Sequence, residues 1–311
     1  MPISITLRSR TKAIRTINGV FEDKTSLDQI KVIDIKNNLK SSTKLDPLRQ
    51  RLTTVDKKVL DDDDKTLAEY GLQEGDDILF KDLGPQISWK TVFLIEYLGP
   101  LLIHPLFYTS NPFSNLIYGS PVTHGRMQRI AFVMVMAHFL KRQLETIFVH
   151  RFSNATMPIR NIFKNSFHYW VLSGFLLAGP IYGHGSSLSK LRGTIFESKF
   201  YLGLCTLLWA YAEISNLIVH LHLRSLRPAG TKKRALPIGY GFKLVACPNY
   251  LFESLAWLSY CLLTCHWSSL VFLMVSSIQM SIWAVKKKKN YKREFGALVS
   301  SGWKAIYPFI L

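Results

Sequence analysis

Several ionisable side chains of this chain sit inside apolar stretches, where an unpaired charge is unstable and a partner or a function has to be found for it. The densest group lies in YAEISNLIVHLHLRSLRPAG, residues 211–230. On a helix, Glu213, Asn216, His220, Arg224 and Arg227 fall within an arc of about 80°. One face therefore presents a carboxylate, an amide, an imidazole and two guanidiniums. Arginine is a forked, permanently charged donor, so a stripe of this kind suits an anionic ligand with several phosphates. The plainer alternative is an interhelical hydrogen-bond seam with arginines reaching for water.

A second constellation opens CPNYLFESLAWLSY, where Asn249 and Glu253 are four residues apart and Tyr250, Glu253 and Trp257 follow helical spacing. A tyrosine in a dry pocket is a credible proton donor; interfacial aromatics are the alternative. Glu96, in FLIEYLGP, has no basic neighbour in its own stretch and must find a partner elsewhere in the fold or be protonated. Lys141, Arg142 and Glu145 form a third cluster, in which Lys141 and Glu145 can pair one turn apart.

Other chemistries are disfavoured. Gly183-His-Gly185 and Gly239-Tyr-Gly241 lack the third glycine and the βαβ setting of a dinucleotide fingerprint. His220 and His222 are two apart and cannot share a helical face, and His124, His138, His168 and His184 show no ligand spacing. Cys205, Cys247, Cys261 and Cys265 contain no CxxC pair. No metal site is expected, and no serine nucleophile elbow is present.

These residues need a scaffold, and the charge distribution indicates which. The 311 residues carry a net charge of +18, with 48% hydrophobic and 19% charged residues. Residues 1–85 hold 15 Lys/Arg and 15 Asp/Glu, so the whole excess belongs to residues 86–311, with 24 Lys/Arg, six Glu and no Asp. There the basic residues cluster between long apolar runs, the pattern of a membrane protein and not of a soluble nucleic-acid binder. Transmembrane helices are expected over about 89–108, 127–149, 166–182, 199–223 and 250–285, the last broken near His266 to Ser269. That makes six spans, or seven if 145–160 adds a re-entrant piece. Lys232-Lys-Arg and the run Lys286 to Arg293 then mark cytosolic loops, and an even number of spans puts both termini in the cytosol. The amino terminus has no apolar signal region.

Residues 1–85 read as a separate α+β unit. Ile3, Ile5 and Leu7 alternate as a strand, and a second strand is expected around Ala13 to Ile17. Ser26 is a candidate N-cap for a helix bearing Leu27, Ile30, Val32, Ile33 and Leu39. Strands at Arg49 to Thr54 and Asp77 to Lys81 flank an acidic turn, Asp61 to Asp64, and a short helix closed by Gly71. This order, with the TLAEYGLQEGDDILFKDLG tail, resembles a ubiquitin-like β-grasp.

The strings NLIVHLHLRSLRPAG, LPIGYGF, CPNYLFESLAW, WAVKKKKNYKREF and a terminal PFIL together resemble the carboxy-terminal domain of the steroid 5-alpha-reductase family, here about 150–311. KDLGPQISWKTVFLIEYLGP and HFLKRQLETIFVHRFSNATMPIRNIFKNSFHYW look closest to its very-long-chain trans-2-enoyl-CoA reductase branch. The resemblance implies a multi-pass α-helical membrane protein with an N-terminal ubiquitin-like β-grasp α+β domain, in the endoplasmic reticulum membrane. It implies NADPH as hydride donor, a long-chain trans-2-enoyl-CoA substrate among membrane lipid, other fatty-acid elongation enzymes as partners, and a product feeding sphingolipid synthesis. Carried over by residue, it places Asn216, His220, Arg224, Arg227, Asn249, Glu253, Tyr291 and Glu294 in the cofactor pocket. Tyr250 and Glu96 become catalytic candidates, and Lys141, Arg142 and Glu145 line the substrate pocket. Two positions depart from the family pattern: Lys288 stands where a histidine is usual, and Leu236-Pro237 where Ile-Pro is. A steroid or polyprenol double-bond reductase and a non-enzymatic membrane adaptor are the competing readings.

Overall fold

Ile3, Ile5 and Leu7 are all buried along β1 (Ile3–Ser9), as their alternation requires. The computed structural model describes residues 3–10, 16–24, 26–152, 155–228, 235–299 and 302–311. Strand β2 spans Ile17–Phe21, later than Ala13 to Ile17, whose residues 13–15 lie outside the described ones. Helix α1 (Val32–Thr43) begins well after Ser26, which leads only a single 3-10 turn, Leu27–Gln29, without a side-chain cap. The cap that decides the start is Asp34, whose Oδ2 accepts the Lys31 N–H at 2.9 Å. Val32, Ile35 and Leu39 consequently form the buried face; Ile33 does not. With β3 (Gln50–Thr54) and β4 (Ile78–Asp82), the sheet order is β2-β1-β4-β3, β1 and β4 running parallel and the other pairs antiparallel. Leu7, Ile30, Ile35, Leu39, Leu52 and Phe80 fill the core between sheet and helix.

By internal contacts the chain divides into two compact units, Met1–Ser88 with Asn154–Asn161, and Trp89–Ser153 with Ile162–Leu311. Within the first, β5 (Gln86–Ser88) pairs antiparallel with β6 (Thr156–Pro158). The region 145–160, expected as a re-entrant piece, holds a helix end and this strand, with residues 153 and 154 outside the described ones.

The second unit is helical: α2 (Trp89–Thr109), α3 (Pro112–Tyr118), α4 (Arg126–Phe148), α5 (Asn161–Ser166), α6 (Leu176–Ile181), α7 (Leu188–Leu191), α8 (Lys199–Ser225), α9 (Pro248–Thr264) and α10 (Trp267–Phe295). A π-helical stretch, Phe167–Phe175, joins α5 to α6. Among the described residues, three stretches are long and apolar enough to cross a membrane: Trp89–Tyr118, Lys199–Ser225 and Trp267–Leu298. The expected break in 250–285 falls at Cys265 and His266, with Cys265 at φ 43° and His266 capping Ser268 N–H at 3.2 Å. Lys286 to Arg293 continue helix α10 instead of forming a loop, because lysine and arginine are good helix formers. Lys232 to Arg234 lie outside the described residues.

Two local features shape α2. Pro100 has no N–H, so the Glu96 carbonyl loses its helical donor beside the buried carboxylate. Gly99 lets the π-helical stretch approach: a Cβ there would stand 2.4 Å from Trp170 Cδ1, and Trp170 Nε1 donates to Ile95 O at 2.9 Å. π-helical insertions of this kind recur at functional sites.

Candidate functional site

Helices α4, α8 and α9 bring most of the charged residues of their apolar stretches into one network. On α4, His138, Lys141, Arg142 and Glu145 are spaced to face the same side; on α8, Glu213, Asn216 and His220 do the same. Glu213 receives His138 Nδ1 at 2.6 Å and Lys141 Nζ at 2.7 Å. Lys141 also donates to Asn216 Oδ1 at 2.7 Å. Glu145, 1% exposed, accepts Arg142 Nη1 at 2.7 Å and lies 3.1 Å from His220 Nδ1, with Lys141 at 3.7 Å. From α9, Glu253 approaches His138 Nε2 at 3.4 Å and accepts from Asn216 Nδ2 at 3.2 Å, which also donates to Asn249 O at 2.9 Å. Three carboxylates, a lysine, an arginine and two imidazoles thus share one interior region. Buried ions persist only when paired and hydrogen-bonded, so each member depends on its neighbours.

The catalytic candidates lie at the edge of this network. Arg142 Nη2 donates to Tyr97 OH at 2.9 Å, with the guanidinium 5.2 Å from the ring centroid. Glu96, next to Tyr97, is 1% exposed, and its Oε1 is buried without a hydrogen-bond partner. Tyr250 is half-buried, packed on the cluster that holds Ala246, Cys247, Met280, Ala284 and Tyr291, with the Trp283 ring centroid at 6.3 Å. It therefore stands against an apolar wall, one residue from Asn249, whose backbone carbonyl is held by Asn216 of the charged network. Asn249 Oδ1 is a second buried acceptor without a hydrogen-bond partner.

Not every expected residue joins. Arg224 is exposed, and Arg227 sits with Arg151, each guanidinium donating to the other's backbone carbonyl. Arg224 lies eight residues from Asn216, about 12 Å along the axis, so the two share a face at different levels. Tyr291 stacks on Trp303 at 5.9 Å with Lys287 5.8 Å over its ring, and Glu294 is exposed farther along α10. Trp257 packs on His138 at 4.9 Å, and Lys288 is half-buried.

Residue spacing missed three participants. His138 has no carboxylate within a turn of it on α4, and its two carboxylates, Glu213 and Glu253, come from helices 75 and more residues away. Tyr97 looks like an apolar-face aromatic until Arg142 reaches it. His150, just past α4, stands with Glu145 and His220 so that one ligand-type atom of each lies within 4.8 Å of the others. Arg142 and Lys141 on the same carboxylate oppose a further cation there.

A family model described as 3-oxo-5-alpha-steroid 4-dehydrogenase matches residues 155–311, the segment that supplies α8, α9 and α10. A Schizosaccharomyces pombe protein named as an enoyl reductase is 47% identical over 99% of this chain and 100% of its own. A Dictyostelium discoideum protein named very-long-chain enoyl-CoA reductase is 38% identical over 89% of this chain and 91% of its own. A human protein named trans-2,3-enoyl-CoA reductase-like is 32% identical over 74% of this chain and 63% of its own.

Proposed function

Because the chain belongs to the 3-oxo-5-alpha-steroid 4-dehydrogenase family, we propose that it is an oxidoreductase that converts trans-2-enoyl-CoA to saturated acyl-CoA, the last reductive step of very-long-chain fatty-acid elongation. The carrying observation is the buried network that joins α8 and α9 of the matched segment to the cations of α4. Such a constellation is far more charged than helix packing requires, and the relatives' names supply the substrate class.

NADPH is the proposed reductant, and the residues fit a dinucleotide. Asn249 Oδ1 is a buried acceptor without a hydrogen-bond partner, Asn216 donates to the Asn249 carbonyl, His220 lies one turn along α8 against Glu145, and Arg224 is an exposed guanidinium suited to phosphate. Arg227, Glu253, Tyr291 and Glu294 complete the proposed set. When bound, NADPH supplies the hydride for the β-carbon of the enoyl thioester. Tyr250 is assigned the proton for the α-carbon, with Glu96 orienting or recharging it. Lys141 and Arg142, held by Glu145 and Glu213, are assigned to the substrate pocket, where fixed positive charge would stabilise the thioester oxygen as it becomes negative; preorganised charge of this kind lowers a barrier by a few kcal/mol.

The N-terminal unit is read as a ubiquitin-like β-grasp module over 1–85, supported by its parallel central strand pair and single long helix. The remainder is read as six spans, α2, α4, 161–181, α8, α9 and α10, in the endoplasmic reticulum membrane with both termini cytosolic. At 1.5 Å per residue the 23 residues of α4 extend about 34 Å, enough for a hydrocarbon core. Partner elongation enzymes and a supply to sphingolipid synthesis follow from the same reading. Thermal-shift titration tests it: NADPH should raise the unfolding midpoint with concentration, since a ligand of the native state stabilises by mass action. A flat titration of folded protein would count against the cofactor assignment.

A further inference from the structure

Away from the charged network, α4 and α8 begin at the same end of the helical unit and leave a cleft of about 270 Å³ between their first turns. Arg126, Arg129 and Lys199 stand around it, and Ile130, Leu202 and Gly203 line it. All three cations are exposed. Arg126 is tied to the helix start, its Nη1 donating to Glu197 O at 2.8 Å while Glu197 Oε1 accepts its backbone N–H at 2.7 Å. Arg129 Nη2 donates to His124 O at 3.1 Å. Lys199 makes no ion pair among the described residues. Three cations against the single Glu197 carboxylate leave the mouth of the cleft positive.

The surface below that mouth is apolar. Val133 is 62% exposed one turn along α4, and Leu207 is 70% exposed one turn beyond Gly203 on α8. A Cβ at Gly203 would meet nothing within 4 Å, so the groove continues into open space there. Cationic donors at the level of helix ends, above an uncovered hydrocarbon-like track, match one molecule in both parts: an anionic headgroup above an acyl chain. A soluble anion would leave the apolar track bare, and a zwitterionic lipid would not use the excess charge.

The geometry points to a binding site for an anionic phospholipid at this cleft, with the phosphate between Arg129 and Lys199 and an acyl chain along Gly203 and Leu207. The site is independent of the proposed reaction, because none of its residues belongs to the charged network.

Native mass spectrometry of the full chain in detergent, with dioleoyl phosphatidylglycerol or dioleoyl phosphatidylcholine added in turn, tests it. The wild type should retain one phosphatidylglycerol in preference to phosphatidylcholine. Arg129→Gln with Lys199→Gln should reduce that preference roughly thirtyfold, as expected for removing two surface cations. The melting midpoint in phosphatidylcholine micelles checks that this variant is folded. Gly203→Leu, which fills the groove and keeps the charges, should lower occupancy without a change of charge. Lys286→Gln with Lys289→Gln, at the other basic cluster, should keep the preference. Equal retention of both lipids by the wild type, an unchanged preference in the Arg129 and Lys199 variant, or loss in the Lys286 and Lys289 variant would each overturn the assignment. Competition by millimolar glycerol phosphate would do so too, since it would reduce the site to a free-anion site.

Discussion

In the first unit, charged side chains pair at the surface: Arg49 and Asp82 meet at 2.6 Å with side chains 37% and 19% exposed. In the helical unit, Arg142 and Glu145 meet at 2.7 Å with side chains 15% and 2% exposed. The distances match and the surroundings do not. Around Arg49 and Asp82, water competes with the pair and screens it, so it adds little to stability. Around Glu145 and Glu213, removing one partner leaves the others buried and uncompensated. A neutral unit that keeps its charges wet needs only an apolar core to fold. A unit that gathers seven ionisable groups away from water, with His138, Glu145 and Glu213 buried and the other four partly so, holds them against their own desolvation, which is the expected mark of a site.

The largest contrast should appear in chemistry. Tyr250→Phe is expected to lower enoyl-CoA turnover by about 10²-fold or more while NADPH still raises the melting midpoint. Loss of that midpoint rise would move Tyr250 from proton donor to cofactor contact.

Stability should separate the two regions next. Glu213→Ala strands His138 and Lys141 and is expected to destabilise the helical unit by about 3–5 kcal/mol, read as a lower melting midpoint in detergent. Asp82→Asn in the first unit should leave its unfolding nearly unchanged at neutral pH. Equal effects would erase the comparison.

Gly99→Ala follows. Its Cβ would collide with the Trp170 ring at 2.4 Å, and because that ring is anchored to Ile95 O, overpacking should cost about 1–3 kcal/mol. Turnover should fall with it through the displaced turn that carries Glu96. Arg224→Ala should raise the NADPH Michaelis constant severalfold with little change in turnover number; an unchanged constant would remove Arg224 from the phosphate site.

The smallest effect is pH dependence in the first unit. The Arg49 hydrogen bond holds the Asp82 carboxyl below the ordinary carboxylate value. A folded-state value below the unfolded one of about 3.9 means that the contribution is complete above that pH and is lost as pH falls through the folded value. Asp82→Asn should flatten this acid limb in unfolding measured between pH 5 and 2.

The contrast between regions was partly legible in the residues themselves. Alternation at Ile3, Ile5 and Leu7 located β1, and the polar arc on residues 213–227 picked out Glu213, Asn216 and His220 correctly as neighbours. It could not separate them from Arg224 and Arg227, because a helical wheel collapses the 12 Å of axial rise between them. Ser26 misled because capping depends on which carboxylate or hydroxyl reaches the free N–H groups, and Asp34 does so at Lys31. His138 and Tyr97 were invisible because their partners are brought by tertiary packing from other helices. The lysines at 286–289 read as a loop because charge suggests one, yet a helix can leave an apolar region and continue into water.

The central claim is tested most directly by incubating purified, folded protein with NADPH and a long-chain trans-2-enoyl-CoA, following NADPH absorbance and identifying the product by mass spectrometry. The account predicts one saturated acyl-CoA formed per NADPH oxidised, with turnover by Tyr250→Phe lower by about 10²-fold or more. Folded protein that oxidises no NADPH with this substrate would contradict it.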